Sequence, residues 1–575
     1  MLKLWQTQSF KSILTFCLIL FPIFIFWSIF NKYAVNIPHW DDFAVRNSVA
    51  QLLETGSFIE KLKILFAQHN EHRIFITRIS ALFIYLIEGT INLKSLMFLG
   101  FCSLIGITVL FYKILKKYNL SLVYLAPITF LVFNNSLYEN TFWGMASIQN
   151  FGVIFLAFLC FYWLIFSIET SSKKYFYWSI FICFLGIFTS SNGIVIPIVG
   201  CLILLFQQRI KGFLVWFSTS LVFLFIFFFD FKRNPDNIAK TTITDINILA
   251  KGLFATLGNS IDISFISPEK HLDFSMALGV FLGLFIVLFS FQTIFKKYNS
   301  KDIYTSSDFI NQKNIDLFLL ACLVFLGITC AGIVFARMSY GIGTLLTSKY
   351  KIYSLLILVI FYLVAAKSFS KKNNFKFIIV SILASICFNI YSYLADYQNI
   401  RYLNQERICD QFKQQYSDKS FPNGGIITEL QVPEKAFYDD LINKLAETKD
   451  STQLKIIITE KESNVLIEAR KNNFKTDLSS SEAGLYIILK SSNNSYLFPT
   501  HIIPAGNKAY LSSDFLMNNR LKIDNFVAEI SKFYINSGKY SIGNILVENN
   551  SKTITWSSQT IDIQTINKEK PQQNW

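Results

Sequence analysis

Long apolar stretches separated by short polar loops dominate the first 395 residues. A membrane-crossing helix needs roughly 20 consecutive apolar residues, and a stretch of this length rules out an ordinary soluble domain. We identify eleven such runs: 12–30, 95–112, 120–137, 147–168, 175–189, 193–207, 213–231, 275–294, 316–335, 350–366 and 375–394. They predict an α-helical polytopic membrane protein with about 11 transmembrane helices. The stretch 175–207 is interrupted at 190–193, and either a helical pair or a re-entrant turn fits it.

The charge of the chain points to membrane topology rather than to nucleic acid. The net charge is +15, yet 52% of the residues are hydrophobic and only 16% are charged. Many of the Lys and Arg residues lie in five short loops between apolar runs, and basic loops of this kind remain in the cytoplasm. We therefore predict a cytoplasmic amino terminus, a multi-pass protein of the lipid bilayer, and no nucleic-acid partner.

The segment between the first two runs, residues 31–94, is then external. We expect two short helices in it, over 41–55 and 71–87, joined through Gly56. The apolar sequence at 69–89 is interpreted as an interfacial helix, because Arg73 and Arg78 would be costly at mid-bilayer.

The chain changes character after residue 394. Apolar runs stop, and residues 395–575 predict an extracytoplasmic α+β domain that follows the transmembrane domain 1–394. Alternating sequence at 454–460 and 484–490 predicts strands, and helices are expected around 434–447 and 461–472. No catalytic constellation is evident in this domain.

The motif HWDDF, residues 39–43, places Asp41 and Asp42 at the start of the external segment. Either they keep a loop hydrated or they serve a reaction at the membrane surface. Four further polar residues occur in the same segment and are candidates for binding substrate: His69, Glu71, His72 and Arg73. A divalent cation, Mg²⁺ or Mn²⁺, held by Asp42, His69 and His72 is an alternative to a purely polar surface.

Other polar residues lie at predicted outer ends of membrane helices. In ENTFWGMASIQN these are Glu139, Trp143 and Gln149, and Asn192 follows in a later run. Trp143 is either a residue of the interfacial aromatic belt or a platform for a sugar ring. Near the ninth and tenth runs the candidates are Arg337, Lys349 and Tyr350. The cations of Arg337 and Lys349 either bind a phosphate or anchor the helices to lipid headgroups, and Arg73 is a further candidate for the phosphate.

The order of these features resembles the GT-C superfamily of membrane glycosyltransferases. The resemblance rests on a first span, the acidic pair, LLETGSF and an interfacial helix before the second span, and in organisation it covers roughly residues 1–395. Protein O-mannosyltransferases and lipid A aminoarabinose transferases share that architecture. The resemblance implies that Asp41 or Asp42, most simply Asp41, is the catalytic base and that the donor is a polyprenyl-phosphate sugar.

The chemistry agrees with these residue types. A hydroxyl that attacks an anomeric carbon needs a carboxylate to take its proton, and the departing phosphate needs cations. A lipid-linked donor also agrees with the sequence, in which we find no CxxC, GxGxxG, Walker or GxSxG motif.

We therefore expect an inverting glycosyltransferase at the outer face of a bacterial inner membrane, with a glycan, lipid or protein as acceptor. The alternatives are an O-antigen ligase or polymerase type of enzyme, and a transporter or flippase of polysaccharide or lipid-linked sugar. Transporters place ionisable groups near mid-bilayer on broken helices, and 190–193 is the break that favours this class.

Overall fold

The structure is a computed structural model that describes residues 8–232, 245–261, 268–299, 307–370, 375–417, 430–441, 455–505, 509–518, 520–548 and 551–566. It is helical up to Tyr416 and rich in β-strands after Lys455. The chain divides into two compact units. The first unit contains Met1–Ile29, Leu52–Ser80 and Ser95–Ala395, and the second contains Phe30–Gln51, Ala81–Lys94 and Asp396–Trp575.

Eight helices among the described residues are long and apolar enough to cross a membrane. Their apolar segments are Lys11–Tyr33, Leu93–Lys117, Gly144–Thr170, Ile210–Phe228, Lys270–Phe295, Asn314–Tyr340, Ser348–Ser370 and Phe375–Tyr416. Each coincides with a predicted run, and together they indicate a membrane-embedded protein. The number of crossings and the side of each loop stay predictions, and three of the loop lysines, Lys301, Lys371 and Lys372, lie outside the described residues.

The helices of the first part of the chain follow in order. They are α1 (Gln8–Tyr33), α2 (Asp42–Glu54), α3 (Phe58–Phe66), α4 (Phe75–Glu88), α5 (Leu93–Lys117), α6 (Ala126–Val132), α7 (Tyr138–Thr141), α8 (Gly144–Ala146), α9 (Val153–Thr170), α10 (Lys173–Ile187), α11 (Val195–Phe206) and α12 (Ile210–Phe228). Five more complete the helical part: α13 (Ile246–Leu257), α14 (Pro268–Asn299), α15 (Ser307–Arg337), α16 (Ser348–Ser370) and α17 (Phe375–Tyr416).

The run predicted over 120–137 is an interrupted helix. A 3-10 turn leads into α6, which ends at Val132, and short turns carry the chain through α7 and α8 to a π-helical turn, Ser147–Gly152. The carbonyl oxygens freed by this break are satisfied by the protein itself, since Asn389 Nδ2 donates to the oxygens of Phe130, at 2.9 Å, and Phe133, at 3.0 Å. Irregular backbone at membrane depth requires such partners.

The stretch 175–207 forms two helices, α10 and α11, so the predicted break is confirmed. Between them lies a 3-10 turn, Ser191–Ile194. Gly193 lies directly against the carbonyl of Gly186, where any side chain would overlap it. The close approach holds the turn beside the end of α10.

Helix α13 lies between the predicted runs 213–231 and 275–294, where no helix is predicted. Small residues let it pack closely on α14: a side chain at Gly279 would overlap the carbonyl oxygen of Phe254, and one at Gly258 would overlap that of Ser275. Close backbone contact through glycine is a common way for membrane helices to associate. Twelve residues are too few to identify a span by hydropathy, which explains why α13 was not predicted.

The predicted external segment 31–94 contains more elements than expected. Helix α2 matches the predicted helix 41–55, but α3 and a hairpin of β1 (Gln68–His69) and β2 (His72–Arg73) precede α4. The helix predicted over 71–87 therefore begins only at Phe75. Asn70, in the left-handed region with a φ of 52°, makes the tight turn that a helix could not contain.

The second unit is held around Asn36. Its backbone N–H donates to Glu434 Oε2 at 2.6 Å, and its side chain bonds the backbone of Ile91, at 3.2 Å, and Leu93, at 2.8 Å. Gln431 Nε2 donates to the carbonyl of Asn36 at 2.9 Å. These bonds explain why Phe30–Gln51 and Ala81–Lys94 group with the residues after Asp396 rather than with the predicted domain 1–394.

The second unit also contains two antiparallel four-stranded sheets and a short helix, α18 (Ser513–Asn518). The strands are β3 (Lys455–Glu460), β4 (Asn464–Asp477), β5 (Gly484–Lys490), β6 (Ser495–Pro499), β7 (His501–Pro504), β8 (Arg520–Ser531), β9 (Gly538–Glu548) and β10 (Ser551–Ile563). The first sheet has the order β10-β9-β5-β6 and the second β3-β4-β8-β7.

The predicted strands at 454–460 and 484–490 are confirmed, whereas the helix predicted over 461–472 is wrong. Val465, Ile467 and Ala469 alternate and are all fully buried, which is the period of a strand. Strand β5 is buried on both faces, because one packs on the second sheet and the other on Ile408 and Phe412 of α17. Of the helix predicted over 434–447, the described part holds one 3-10 turn, Phe437–Asp440, and 442–447 lie outside the described residues. The predicted α+β domain is thus a β-rich one.

The contact between α13 and α14 gives a stability prediction. Gly279→Ala should destabilise the protein by about 1–3 kcal/mol, because the methyl group meets a backbone carbonyl that cannot turn away. Gly327→Ala in α15 is the matched control, since nothing lies within 4 Å of its added carbon. Thermal unfolding in detergent should show a lower Tm for the first variant alone, and equal Tm values would contradict the close packing.

Candidate functional site

The two aspartates of HWDDF belong to the second unit and differ in environment. Asp42 begins α2 and is 0% exposed. Its Oδ2 accepts a hydrogen bond from the backbone N–H of His39 at 3.2 Å, and the buried guanidinium of Arg407 interacts with it electrostatically. Asp41 precedes the helix, and its side chain is partly exposed. Asp42 is therefore fully buried, whereas part of Asp41 reaches the surface.

The histidines predicted on a helix lie instead on the β1–β2 hairpin of the first unit. His69 and His72 are paired across the two strands, so the interfacial helix predicted over 69–89 is wrong at its start. His72 Nδ1 accepts from the backbone N–H of Ser191 at 3.1 Å, which ties the hairpin to the turn between α10 and α11.

Arg73 is 3% exposed and is bonded on three nitrogens. Its Nε donates to the carbonyl of Phe227 at 2.6 Å, and its terminal nitrogens donate to the carbonyl of Phe66 and to the carboxylate of Asp230. The hydrogen bond from Arg73 lowers the pKa of Asp230. These contacts join the carboxyl ends of α3 and α12, and they favour a structural role for Arg73 over phosphate binding.

A polar cluster of the first unit surrounds Tyr350. Arg337, at the carboxyl end of α15, hydrogen-bonds the Tyr350 hydroxyl, and the carboxylates of Glu71 and Glu139 interact with it electrostatically. Arg337 and Tyr350 are partly exposed. The structure therefore brings together four of the residues predicted to bind substrate: Glu71, Glu139, Arg337 and Tyr350.

Glu139 also fixes the amino end of α16. Its Oε2 accepts from the backbone N–H of Lys349 at 2.9 Å, and its own N–H donates to Ser348 Oγ at 3.2 Å. A carboxylate at a helix amino end meets unpaired N–H groups and the positive end of the helix dipole. Lys349 in turn lies over the ring of Trp143, with Nζ 5.2 Å from the ring centroid. Trp143 is buried, which does not fit a residue of the aromatic belt.

A chain of side-chain hydrogen bonds connects this cluster to Asn192. Asn140 Nδ2 donates to the carbonyl of Lys349 at 2.8 Å, and Asn150 Nδ2 donates to Asn140 Oδ1 at 2.9 Å. Tyr353 donates to Asn150 Oδ1 at 3.5 Å and accepts from Asn192 Nδ2 at 3.1 Å. We call these four residues, Asn140, Asn150, Tyr353 and Asn192, the amide relay.

Sequence reasoning missed three members of the amide relay, Asn140, Asn150 and Tyr353. Asn140 and Asn150 occur in the quoted stretch ENTFWGMASIQN, and two amides in an otherwise apolar region are a signal that could have identified them. Asn150 and Gln149 lie in the π-helical turn, a feature that is frequent at functional sites. Gln149 is 8% exposed, and its Nε2 has no hydrogen-bond partner among the described residues.

A metal site has no further support from geometry. No group of three or more His, Cys, Asp or Glu side chains arranged to hold a metal ion occurs within the described ranges. The divalent cation on Asp42, His69 and His72 stays a prediction.

Asp42 and Asp41 should respond differently to removal of charge. Asp42→Asn removes one of three carboxylates that interact with the buried Arg407 and should cost about 1–3 kcal/mol of stability. Asp41→Asn should change stability by less than about 0.5 kcal/mol, since asparagine serves equally well at a helix start. Thermal unfolding measures both, and an Asp42→Asn variant as stable as the wild type would contradict the structural role.

Comparison of the chain with protein-family models, with characterised proteins and with solved structures found no match.

Proposed function

We propose that the chain is a membrane glycosyltransferase that transfers a sugar from a polyprenyl-phosphate donor to a hydroxyl of a glycan, lipid or protein acceptor. The observation that carries the proposal is Asp41. It is a partly exposed carboxylate that follows the first long apolar helix by a few residues and stands next to a buried, anchored aspartate. We place the reaction at the outer face of a bacterial inner membrane, in accord with the predicted topology of about 11 crossings.

The reaction is a single displacement. The acceptor oxygen bonds to the anomeric carbon, the bond from that carbon to the phosphate oxygen breaks, and Asp41 takes the hydroxyl proton. The phosphate leaves with the electron pair and stays attached to the polyprenyl chain. A single displacement inverts the configuration of the anomeric carbon.

The departing phosphate needs positive charge, and Arg337 and Lys349 are the candidates. Arg337 interacts with Tyr350 of the polar cluster, which supports a role within the protein rather than one that only anchors a helix in the headgroup layer. Lys349 lies against Trp143 and is held in a similar way.

Transport of a lipid-linked sugar is the second candidate. The interrupted helices at 133–146 and 188–194 favour it, because transporters bind substrates at broken helices. Transport and transfer are distinguished by the product, since a transporter leaves the sugar on its lipid.

The base is tested by Asp41→Asn, which keeps the shape of the side chain and removes proton acceptance. Turnover with a polyprenyl-phosphate sugar should fall by roughly 10² or more at matched expression. Asp514→Asn, an exposed aspartate of the second unit, is the control and should retain full turnover. Normal turnover of Asp41→Asn would eliminate Asp41 as the base.

The phosphate ligand is tested separately, because Arg337 belongs to the first unit and Asp41 to the second. Arg337→Ala should weaken binding of polyprenyl phosphate by roughly 10- to 100-fold, the effect of losing hydrogen bonds to a charged group. Arg337→Lys should retain part of the affinity through its charge. Arg209→Ala removes an exposed arginine and should leave the affinity unchanged, and the same result for Arg337→Ala would return Arg337 to helix anchoring.

A further inference from the structure

In the amide relay, two backbone carbonyls determine which group donates and which accepts in each hydrogen bond. A carbonyl can only accept, so Asn140 must turn its NH₂ group toward the oxygen of Lys349, at 2.8 Å. Asn150 must likewise turn its NH₂ group toward the oxygen of Ala146, at 3.1 Å. Both amides are therefore oriented by partners that allow no exchange of donor and acceptor.

The orientation of these amides also determines the hydrogen-bonding role of Tyr353. With the NH₂ group of Asn150 engaged, its Oδ1 faces Tyr353, whose hydroxyl must donate its only proton there. The tyrosine oxygen is then left to accept, and Asn192 supplies its NH₂ group at 3.1 Å. Tyr353 is 2% exposed, so water does not compete for this hydroxyl.

At the end of the amide relay stands Asn192 Oδ1, an acceptor. This atom is buried and has no hydrogen-bond partner among the residues described. A buried polar atom left in this state costs free energy, and sites that bind substrates are where such atoms are found.

The backbone around Asn192 is held as firmly as its side chain. The N–H of Ser191 donates to His72 Nδ1, and Gly193 lies against the carbonyl of Gly186. Asn192 thus presents one acceptor in one orientation, which suits a ligand that brings an O–H or N–H donor.

We propose that Asn192 Oδ1 accepts a hydrogen bond from the sugar of the donor lipid, from a hydroxyl or from an acylamino N–H, and that Tyr353 is the residue that positions it. This inference rests on the proposed function and deepens it by assigning the residues that recognise the sugar. A site that orients a buried acceptor discriminates strongly against ligands without the matching donor.

The test measures binding of three lipids to the full chain in detergent: polyprenyl phosphate without sugar, polyprenyl-phosphate hexose, and polyprenyl-phosphate N-acetylhexosamine. Asn192→Ala should weaken binding of a sugar-bearing lipid about tenfold and leave binding of the sugar-free lipid unchanged. The lipid that is affected identifies the group that donates to Asn192. Weaker binding of both sugar-bearing lipids indicates a hydroxyl that the two sugars share, and weaker binding of the N-acetylhexosamine lipid alone indicates its N–H.

Tyr353→Phe should weaken binding of the same sugar-bearing lipids about threefold, because Asn192 remains but loses the hydrogen bond that orients it. Tyr362→Phe is the matched control, since it removes a hydroxyl of the same helix that donates to the carbonyl of Tyr124 at 3.0 Å, outside the amide relay. It should change none of the three affinities, and unchanged binding of the sugar-free lipid shows that the variants are folded.

Two results would overturn the inference. Equal affinities of wild type, Asn192→Ala and Tyr353→Phe for all three lipids, or an equal loss for all three, would remove Asn192 from sugar recognition while leaving the donor class intact. Failure of the wild type to bind any of the lipids would contradict the proposed function itself, and with it this role.

Discussion

The need to satisfy backbone polar groups inside a membrane shapes the first unit more than any other constraint. The chain interrupts its helices at 133–146 and 188–194, and each interruption frees N–H and carbonyl groups that lipid cannot bond. Side chains from distant helices replace the lost partners. Asn389 bonds two carbonyls at the end of α6, and Ser348 Oγ donates to the carbonyl of Ser136 at 2.5 Å.

The candidate site contains side chains from the same interrupted region that bond the backbone of α16. Asn140 bonds the carbonyl of Lys349, and Glu139 accepts from the N–H of the same residue. The break at 133–146 therefore supplies two residues, Glu139 and Asn140, that hold the backbone of Lys349 in place.

Much of the helical part could be predicted from sequence, because long apolar runs have few alternative structures. Eight runs became long helices, and the break near Gly193 was visible from its composition. Helix α13 was missed because it is short, and its stability comes from glycine contacts with α14 that hydropathy does not report. Strand β4 was mistaken for a helix because its charged residues masked a period of two.

The site was predictable only as a set of polar residues at helix ends. Glu71, Glu139, Arg337 and Tyr350 were identified in this way, and they do lie together. The sequence does not show which of these residues have structural partners. The partners of Arg73 and Asp42 come from distant parts of the chain, such as Phe227 and Arg407. The direction of the amide relay likewise depends on two backbone carbonyls.

The proposed function requires that the chain break the bond between a sugar and its lipid phosphate. The most direct measurement incubates the purified wild-type protein in liposomes with polyprenyl-phosphate sugars radiolabelled in the sugar, together with a hydroxyl-bearing acceptor, and separates lipid-bound from released label. We expect label to leave the lipid and to appear on the acceptor with inverted anomeric configuration. Label that stays on the polyprenyl phosphate with every sugar of the panel, and above all label that only changes leaflet, would contradict glycosyl transfer and favour transport.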